Sequence, residues 1–228
     1  MLFRSGETAE NVGKEFNIGR EEQEQFAVLS QQKAADAQSL GKLEQEIVPI
    51  QMNGLTVDTD GCLRPGTSAE DLAGLKLAFD ENGSVTAGTS SPLTDGAAAT
   101  LVCSETYAQE NGLEPIARIK SIAVSGCKPE TMGLGPIFAS RKALDRAELS
   151  ADAIDVVEIN EAFATQSIAS VRDLGLNIDK VNIDGGAIAI GHPLGATGAR
   201  ITGKAAQILK REDGRYRSEE HTSELQSQ

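Results

Sequence analysis

A glycine-rich stretch near the end of the chain, from Gly185 to Gly198, contains the residue types best suited to chemistry. Five of its fourteen residues are glycines, and His192 stands inside it next to Pro193. Glycines let a backbone approach a substrate closely, proline stiffens the turn, and the helix predicted to follow offers unpaired N–H groups to an anion. His192 could therefore act as a general base or bind an oxyanion. Spacing alone leaves the alternative of a structural histidine in a tight turn.

A second candidate, Asn160, follows the β-branched run from Ile154 to Ile159 and precedes a helix predicted over 163–173. One interpretation is that Asn160 is the N-cap of that helix. The other is that its amide positions a water or a substrate at the carboxyl end of a strand, where α/β proteins place their sites. The local pattern leaves both interpretations open.

Two other chemistries are rejected. The segment from Gly198 to Ala205 nearly fits a phosphate-binding loop, but it ends in alanine where a hydroxyl would bind Mg²⁺, and its apolar spacing predicts a helix. Cys62, Cys103 and Cys127 form no CxxC pair, which argues against a zinc site and a disulfide framework and indicates a reducing compartment. We interpret all three thiols as structural, with Cys103 in the core.

The elements that must position these residues alternate between helix and strand. Periodic apolar residues predict a helix from Gly19 to Leu40, with an apolar stripe that includes Leu29 and a solvated face of Glu, Gln and Asp. A capping box at Ser68 predicts a short helix that ends at Gly74, and Pro115 marks a domain seam. Further predicted elements are strands over 97–103, 116–124, 154–159 and 181–183, and helices over 104–112, 140–147, 163–173 and 198–210.

Composition narrows the function further. Lys and Arg number 21 against 34 Asp and Glu, a net charge of −13, which argues against non-specific binding of nucleic acid. No apolar run approaches the ~18 residues of a membrane span. Hydrophobic residues make up 39% of the chain and Trp is absent, so Ala, Val, Ile and Leu must build the core, as in packed α/β layers.

Both ends of the chain resemble translated sequencing-library adapter. The peptide from Leu2 to Ser5 can be encoded by a string whose reverse complement encodes the peptide from Arg217 to Glu220. We therefore expect residues 1–5 and 217–228 to be artefacts that say nothing about the fold.

The run from Asn160 to Ala164, followed by the glycine-rich stretch through His192, closely resembles the thiolases, which are acyl-CoA C-acyltransferases. The similarity extends over residues 6–216 and includes the segments Val85–Ser91 and Asp95–Ala99. It implies an α/β fold, the thiolase fold of stacked α–β–α–β–α layers, here incomplete. It also divides the chain into a substrate-binding loop domain (6–93), the end of the N-terminal half (94–112) and a truncated C-terminal domain (113–216).

The resemblance implies thiolytic cleavage of a 3-ketoacyl-CoA by CoA, giving acyl-CoA and acetyl-CoA, in fatty-acid β-oxidation. His192 would activate a nucleophilic cysteine and help bind an oxyanion, and Asn160 would hold the water that completes that oxyanion site. CoA would be a co-substrate, with no bound cofactor and no metal. By position, the residues that would contact CoA or line its channel are Ser91, Arg64, Phe79, Ala87, Met132, Ala162 and Phe163.

None of the three cysteines matches the nucleophilic cysteine of thiolases or their Cys-x-Gly-x-Gly motif, so we expect this chain to be inactive and, with strands missing, poorly soluble. A biosynthetic acetoacetyl-CoA thiolase and a non-catalytic protein that binds CoA or lipid remain as alternatives. The family implies acyl-CoA substrates and a homodimer or homotetramer, with or without a β-oxidation hydratase/dehydrogenase subunit. We expect a bacterial cytoplasmic location, with mitochondria and peroxisomes left open.

Overall fold

The computed structural model describes residues 5–220, in which helices and short strands are joined by 3₁₀ turns. Its helices are α1 (Ser5–Glu15), α2 (Arg20–Ser39), α3 (Ala69–Ala73), α4 (Glu105–Glu110), α5 (Gly135–Ala147), α6 (Ala164–Asp173), α7 (Ala187–Ile190) and α8 (Leu194–Arg211). Its strands are β1 (Ile50–Met52), β2 (Leu55–Val57), β3 (Val156–Ile159) and β4 (Arg217–Glu220). β1 pairs antiparallel with β2, and β3 pairs parallel with β4. Within residues 5–220, no helix combines the length and the apolar character that crossing a membrane requires.

The helix predicted over 19–40 is confirmed as α2, but its buried face coincides only in part with the predicted stripe. Leu29 is 37% exposed, and Leu40 is 69% exposed just after the helix end. The buried side chains are small or polar: Gln23, Glu24, Ala27, Ser30, Gln31, Ala34 and Ala37. Their burial follows from packing, because α2 lies against α3, α6 and α7. The Gln31 amide, for example, donates to the carbonyl of Ile188 at 3.2 Å.

Three further helices agree with their predictions. In α3, the Ser68 hydroxyl accepts from the Asp71 N–H at 3.2 Å and the Asp71 carboxylate accepts from the Ser68 N–H at 3.1 Å, which completes the predicted capping box. The helices predicted over 163–173 and 198–210 are confirmed as α6 and α8. The helix predicted to start at Ser140 begins instead at Gly135, because Pro136 occupies its first turn, where a missing N–H costs nothing.

Several predicted strands are wrong. The helical part of 97–112 is confirmed as α4, but segments 97–103 and 116–124 are irregular, and Leu101, Ile122 and Val124 are exposed. A strand needs a neighbour to satisfy its ladder of hydrogen bonds, and none of the described residues provides one here. The strand predicted over 181–183 is reduced to a single bridge between Val157 and Val181.

The strand that leads to the site is buried on both faces. β3 confirms the prediction over 154–159, and all four of its residues are buried, with relative exposures of 2%. Its apolar cluster comprises Ile154, Val157, Ile159 and Val181. A second cluster, around α2, includes Val12, Ala27, Ile137, Ala164 and Ile168. The first cluster packs directly against β3, and α8 also contacts this strand.

The predicted adapter-like ends lie mostly outside the described residues. Among residues 217–228, only 217–220 are described, and they form β4, in register with β3 from Val156–Arg217 to Ile159–Glu220. The predicted boundaries of the artefact and of the three domains stay predictions.

Gly185 brings the glycine-rich stretch directly against α2. Its φ is +80°, a region that disfavours side chains, and an added Cβ would lie 2.5 Å from Ala34 Cβ and 2.7 Å from Ala34 N. Gly175, after α6, also has a positive φ of +66° but has nothing within 4 Å of an added Cβ. Comparing the two glycines therefore distinguishes the cost of a side chain at positive φ from the cost of a steric clash with α2.

We expect Gly185→Ala to destabilise the fold more than Gly175→Ala. Both substitutions place a side chain in the left-handed region, at a cost of about 1 kcal/mol. Gly185→Ala also forces α2 away from the glycine-rich stretch, which adds about 1–3 kcal/mol. Urea unfolding followed by circular dichroism measures both values, and equal losses in the two variants would contradict the close contact.

Candidate active site

The structure brings together the two residues that the sequence singles out for catalysis. Asn160 lies directly after β3 and is 2% exposed, and its Nδ2 is 3.3 Å from Nε2 of His192. The predicted N-cap role of Asn160 is wrong, because α6 begins at Ala164 and Phe163 occupies the cap position. Asn160 instead presents its amide to the half-buried imidazole of His192 at the carboxyl end of the strand.

The hydrogen bonds around His192 define its tautomer. Its Nδ1 lies 2.7 Å from the hydroxyl of Thr197, and that hydroxyl donates to the carbonyl of Pro193 at 3.0 Å. A hydroxyl has a single hydrogen, so Thr197 must accept from a protonated Nδ1. The Nε2 atom is then the basic nitrogen and accepts from the Asn160 amide.

The backbone on either side of His192 is held as well. The His192 N–H donates to the hydroxyl of Thr94 at 3.2 Å, and that hydroxyl donates to the carbonyl of Pro92 at 2.7 Å. Leu93 forms a parallel bridge with His192. Gly191 has a φ of +92°, and a Cβ there would lie 2.6 Å from the Thr94 hydroxyl oxygen. The turn therefore requires glycine immediately before the histidine.

Four of the predicted substrate-binding residues form one continuous patch beside Asn160. The Ser91 N–H donates to the carbonyl of Ala162 at 3.0 Å. Ser90 bridges Phe163, whose ring meets that of Phe79 edge-on, with centroids 5.8 Å apart. Phe79 is 42% exposed and Ser91 is half-buried, so the patch is reachable from solvent.

The other three predicted binding residues lie on separate segments. Arg64 is exposed, and its backbone N–H donates to the side-chain oxygen of Gln31 at 3.0 Å. Ala87 is exposed in the 3₁₀ turn 87–89. Met132 is half-buried, and its carbonyl accepts from the Cys127 thiol at 3.6 Å. The roles proposed for these side chains stay predictions.

The three thiols are free cysteines in the structure. Cys62 is half-buried, with its Sγ 3.9 Å from the Thr94 hydroxyl oxygen, whereas Cys103 and Cys127 are exposed. The predicted burial of Cys103 is wrong, because segment 97–103 forms no strand and packs against no core. Partial desolvation raises the pKa of the Cys127 thiol even though the residue as a whole is exposed, which disfavours its thiolate. Among residues 5–220, no group of three or more His, Cys, Asp or Glu could hold a metal ion.

Sequence reasoning missed the carboxylate that supports the site. Glu161 follows Asn160 and is 1% exposed, and its oxygens accept from the Ser30 hydroxyl at 2.6 Å, the Asn182 amide at 2.7 Å and the Ile188 N–H at 3.1 Å. Burial raises the pKa of Glu161, and these three donors lower it. Its place directly after a candidate catalytic residue was the available signal. The carboxylate joins α2, the end of β3 and the glycine-rich stretch at one point.

A cluster of mostly buried charges surrounds Lys204 of α8. Lys204, whose side chain is 1% exposed, is 3.5 Å from carboxylate oxygens of both Glu46 and Asp184. Arg211 binds the two oxygens of Asp184 at 2.9 Å each. Burial raises the pKa of Glu158, which is 2% exposed on β3, to about 8, against the lowering effect of Lys204. Glu158 is therefore mostly neutral at pH 7.

Two family profiles match the chain. The profile described as "Thiolase, N-terminal domain" matches residues 3–106, and the one described as "Thiolase, C-terminal domain" matches residues 113–219. Together they cover nearly all of the sequence.

Individual relatives agree with the profiles. The chain is 49% identical to the acetyl-CoA acetyltransferase of Cupriavidus necator over 93% of its own length and 56% of the relative's. It is 50% identical to the 3-ketoacyl-CoA thiolase of Alcanivorax borkumensis, with 92% and 56% covered. The solved structure of human mitochondrial 3-ketoacyl-CoA thiolase in complex with CoA superposes with a TM-score of 0.87 and 40% identity, with 92% and 53% covered. The chain therefore spans about half the length of the proteins it matches.

We expect Glu161→Gln to lower the free energy of unfolding by about 2–3 kcal/mol. The substitution keeps the volume but turns an NH₂ group towards at least one of the three donors, which leaves a buried polar group unpaired. The control is Glu21→Gln, an exposed position on α2, for which a change within about 0.5 kcal/mol is expected. Urea unfolding of both variants measures the difference, and a neutral Glu161→Gln would contradict the network.

We also expect the stability to depend on the protonation of Glu158. Its pKa is about 8 in the folded chain and near the ordinary 4.5 when unfolded, so the folded state binds more protons. This stability is present below about pH 4.5 and is lost as the pH rises through about 8. Glu158→Gln should therefore reduce the fall in the free energy of unfolding between pH 5 and 8 by up to about 1 kcal/mol per pH unit. If the free energy of unfolding falls equally steeply with pH in Glu158→Gln, Glu158 is not the group responsible for the fall.

Proposed function

The chain belongs to the thiolase family, and we propose that it carries part of the active site of an acyltransferase that cleaves 3-ketoacyl-CoA with CoA. The predicted thiolase fold is confirmed, over about half the length of a solved thiolase. The observation that supports the activity most strongly is the 3.3 Å approach of Asn160 Nδ2 to His192 Nε2 at the carboxyl end of β3.

In this proposal His192 acts as the base for a cysteine thiol. Nδ1 carries a proton held by Thr197, so Nε2 can take the proton from the thiol. The thiolate then attacks the 3-keto carbon, the bond between C2 and C3 breaks, and acetyl-CoA leaves as C2 takes a proton from a general acid, which is not assigned to a residue of this chain. The acyl group on the cysteine passes to the thiol of CoA. The nucleophile is not assigned to Cys62, Cys103 or Cys127.

Asn160 is suited to hold a water against the developing oxyanion. Its Oδ1 is buried and has no hydrogen-bond partner among residues 5–220, whereas its carbonyl accepts from the Gln166 amide at 3.1 Å. A water that donates one hydrogen to this Oδ1 can donate the other to a substrate oxygen. Donors fixed in advance in this way favour the transition state, and the loss of one typically costs ~10²–10³ in rate.

The patch formed by Ser91, Ala162, Phe163 and Phe79 is suited to bind the acyl-CoA chain. It adjoins Asn160 and combines apolar rings with a half-buried hydroxyl, as the pantetheine arm requires. Arg64 adds an exposed positive charge for the CoA phosphates on an otherwise acidic chain. Met132 and Ala87 are proposed as further contacts. CoA is then a co-substrate, and no bound cofactor is required.

We place the reaction in fatty-acid β-oxidation, with 3-ketoacyl-CoA as the substrate. The Alcanivorax relative, named a 3-ketoacyl-CoA thiolase, supports this direction. A second candidate is the biosynthetic condensation of two acetyl-CoA molecules, since the Cupriavidus relative is named an acetyl-CoA acetyltransferase and is equally similar. A homodimer or homotetramer in the bacterial cytoplasm is part of the same proposal.

The test is a chimera in which residues 6–216 replace the matching segment of the Cupriavidus enzyme. Thiolysis of acetoacetyl-CoA and of a medium-chain 3-ketoacyl-CoA, and condensation of acetyl-CoA, are measured by the change in thioester or enolate absorbance. We expect His192→Asn and Asn160→Ala to lower kcat by ~10²–10³. Preference for the medium-chain substrate would favour the β-oxidation role over the biosynthetic one.

The matched control is Asn82→Ala, an exposed asparagine in a loop, which should leave kcat unchanged. Full activity of the His192→Asn chimera would refute the proposed role. The isolated 228-residue chain should show no thiolysis. Measurable turnover by it would show that one of its own three cysteines can serve as the nucleophile.

A further inference from the structure

The peptide bond between Gly191 and His192 is held from both of its sides. Its carbonyl, on Gly191, accepts from Nη2 of Arg200 at 3.2 Å, and its N–H, on His192, donates to the Thr94 hydroxyl at 3.2 Å. A peptide unit is planar, so two bonds on opposite edges fix its orientation. That plane fixes the N–Cα bond of His192, so Arg200 restrains the backbone that carries the imidazole.

We propose that Arg200 is a positioning residue that orients the His192 imidazole through the Gly191 carbonyl, and that Glu158 weakens this bond when it ionises. The proposal rests on the proposed function for its catalytic meaning. The structural part concerns only the tautomer and orientation of His192.

Arg200 and Glu158 both have unmet hydrogen-bonding capacity. Among residues 5–220, Nε of Arg200 is buried without a partner, and so is Oε1 of Glu158. Burial lowers the pKa of Arg200, and Glu158 is the strongest of the carboxylates that raise it. The two side chains thus interact electrostatically without a hydrogen bond between these two atoms, which is consistent with a neutral carboxyl.

The position of Glu158 connects it to both catalytic residues. It is two residues before Asn160, and strand alternation places it on the face of β3 opposite the apolar side chains of Val157 and Ile159; α8 contacts the same strand. The charged groups around it are Lys204 and Arg200 from α8, Asp184 from the loop before α7, and Glu46 from the segment after α2. Ionisation of Glu158 adds a negative charge that attracts the guanidinium of Arg200 and competes with the Gly191 carbonyl for it.

The test uses the imidazole of His192 as the reporter. The full chain is labelled with ¹⁵N-histidine in a His221→Asn background, so that one imidazole remains. The ¹⁵N shifts of Nδ1 and Nε2 are recorded from pH 6 to 9.5 for the parent, Arg200→Met, Arg200→Lys and Glu158→Gln. The matched control is Arg146→Met, because Arg146 also donates to a backbone carbonyl, that of Ile122, but on α5.

At pH 7 the parent should show a protonated Nδ1 and an unprotonated Nε2. In Arg200→Met the two shifts should converge towards those of an imidazole that exchanges freely between tautomers, whereas Arg146→Met should match the parent. Arg200→Lys retains a cationic donor without the planar fork and should fall between the two. If Arg200→Met keeps the parent's shifts, the positioning role is wrong. If that variant does not fold, parent-like shifts in Arg200→Lys would refute the role instead.

Glu158→Gln tests the second part of the proposal, that ionised Glu158 weakens the bond between Arg200 and the Gly191 carbonyl. The parent should show a step in the His192 shifts near pH 8, and Glu158→Gln should match the parent at pH 7 but lack the step. A step that persists in Glu158→Gln would overturn the role of Glu158.

Activity of the chimera distinguishes the inference from the proposed function. Arg200→Met in the chimera should lower kcat with KM unchanged. If the His192→Asn chimera is fully active, the proposed function is wrong, but the effect of Arg200→Met on the ¹⁵N shifts of His192 still supports the positioning role. If Arg200→Met leaves the ¹⁵N shifts of His192 unchanged, the positioning role of Arg200 is wrong, and the proposed catalytic role of His192 is not affected.

Discussion

The carboxylate of Glu161 is the point on which the arrangement of the site depends. It is buried where three segments distant in sequence meet, and it accepts one hydrogen bond from each of Ser30, Asn182 and Ile188. Ser30 also accepts from the N–H of Gly186 at 3.1 Å, so the donors are themselves joined. A buried carboxylate is tolerated only when its lone pairs are satisfied, and here they are satisfied by the groups that must be aligned. The position of Asn160, one residue earlier, follows from that alignment.

A second set of constraints acts on His192 from the opposite side. Thr197 holds its Nδ1, Thr94 holds its N–H, and Arg200 holds the preceding carbonyl, so the side chain and the backbone are both restrained. Two of these groups, Thr197 and Arg200, lie on α8, which also carries the buried Lys204. The helix thus combines direct contact with the histidine and an electrostatic environment for the acid on β3. The apolar clusters supply packing, but the polar bonds determine which atoms face each other.

The sequence predicts the site better than it predicts the elements around it. Asn160 and His192 are identified because a strand followed by Asn and a glycine-rich turn containing His are local patterns, and the family resemblance assigns their roles. The buried face of α2 is predicted only in part, because Ser30 and Gln31 are buried by long-range bonds that no periodicity shows. The strands expected over 97–103 and 116–124 are absent because a strand depends on its neighbour rather than on its own residues. Glu161 was missed because burial of a carboxylate cannot be read from its type.

The sequence separations within the site have a consequence for folding kinetics. The Ser30–Glu161 bond joins residues 131 positions apart, the Gln31–Ile188 bond spans 157 positions, and the Thr94–His192 bond spans 98. Closing such long loops costs entropy before any bond compensates for it, so contacts of this kind form late. Local helices such as α2 and α8 can form early, but the pairing of Asn160 with His192 must await nearly complete assembly. A nascent or partly unfolded chain therefore presents helical structure without a formed site, and the site itself reports that folding is finished.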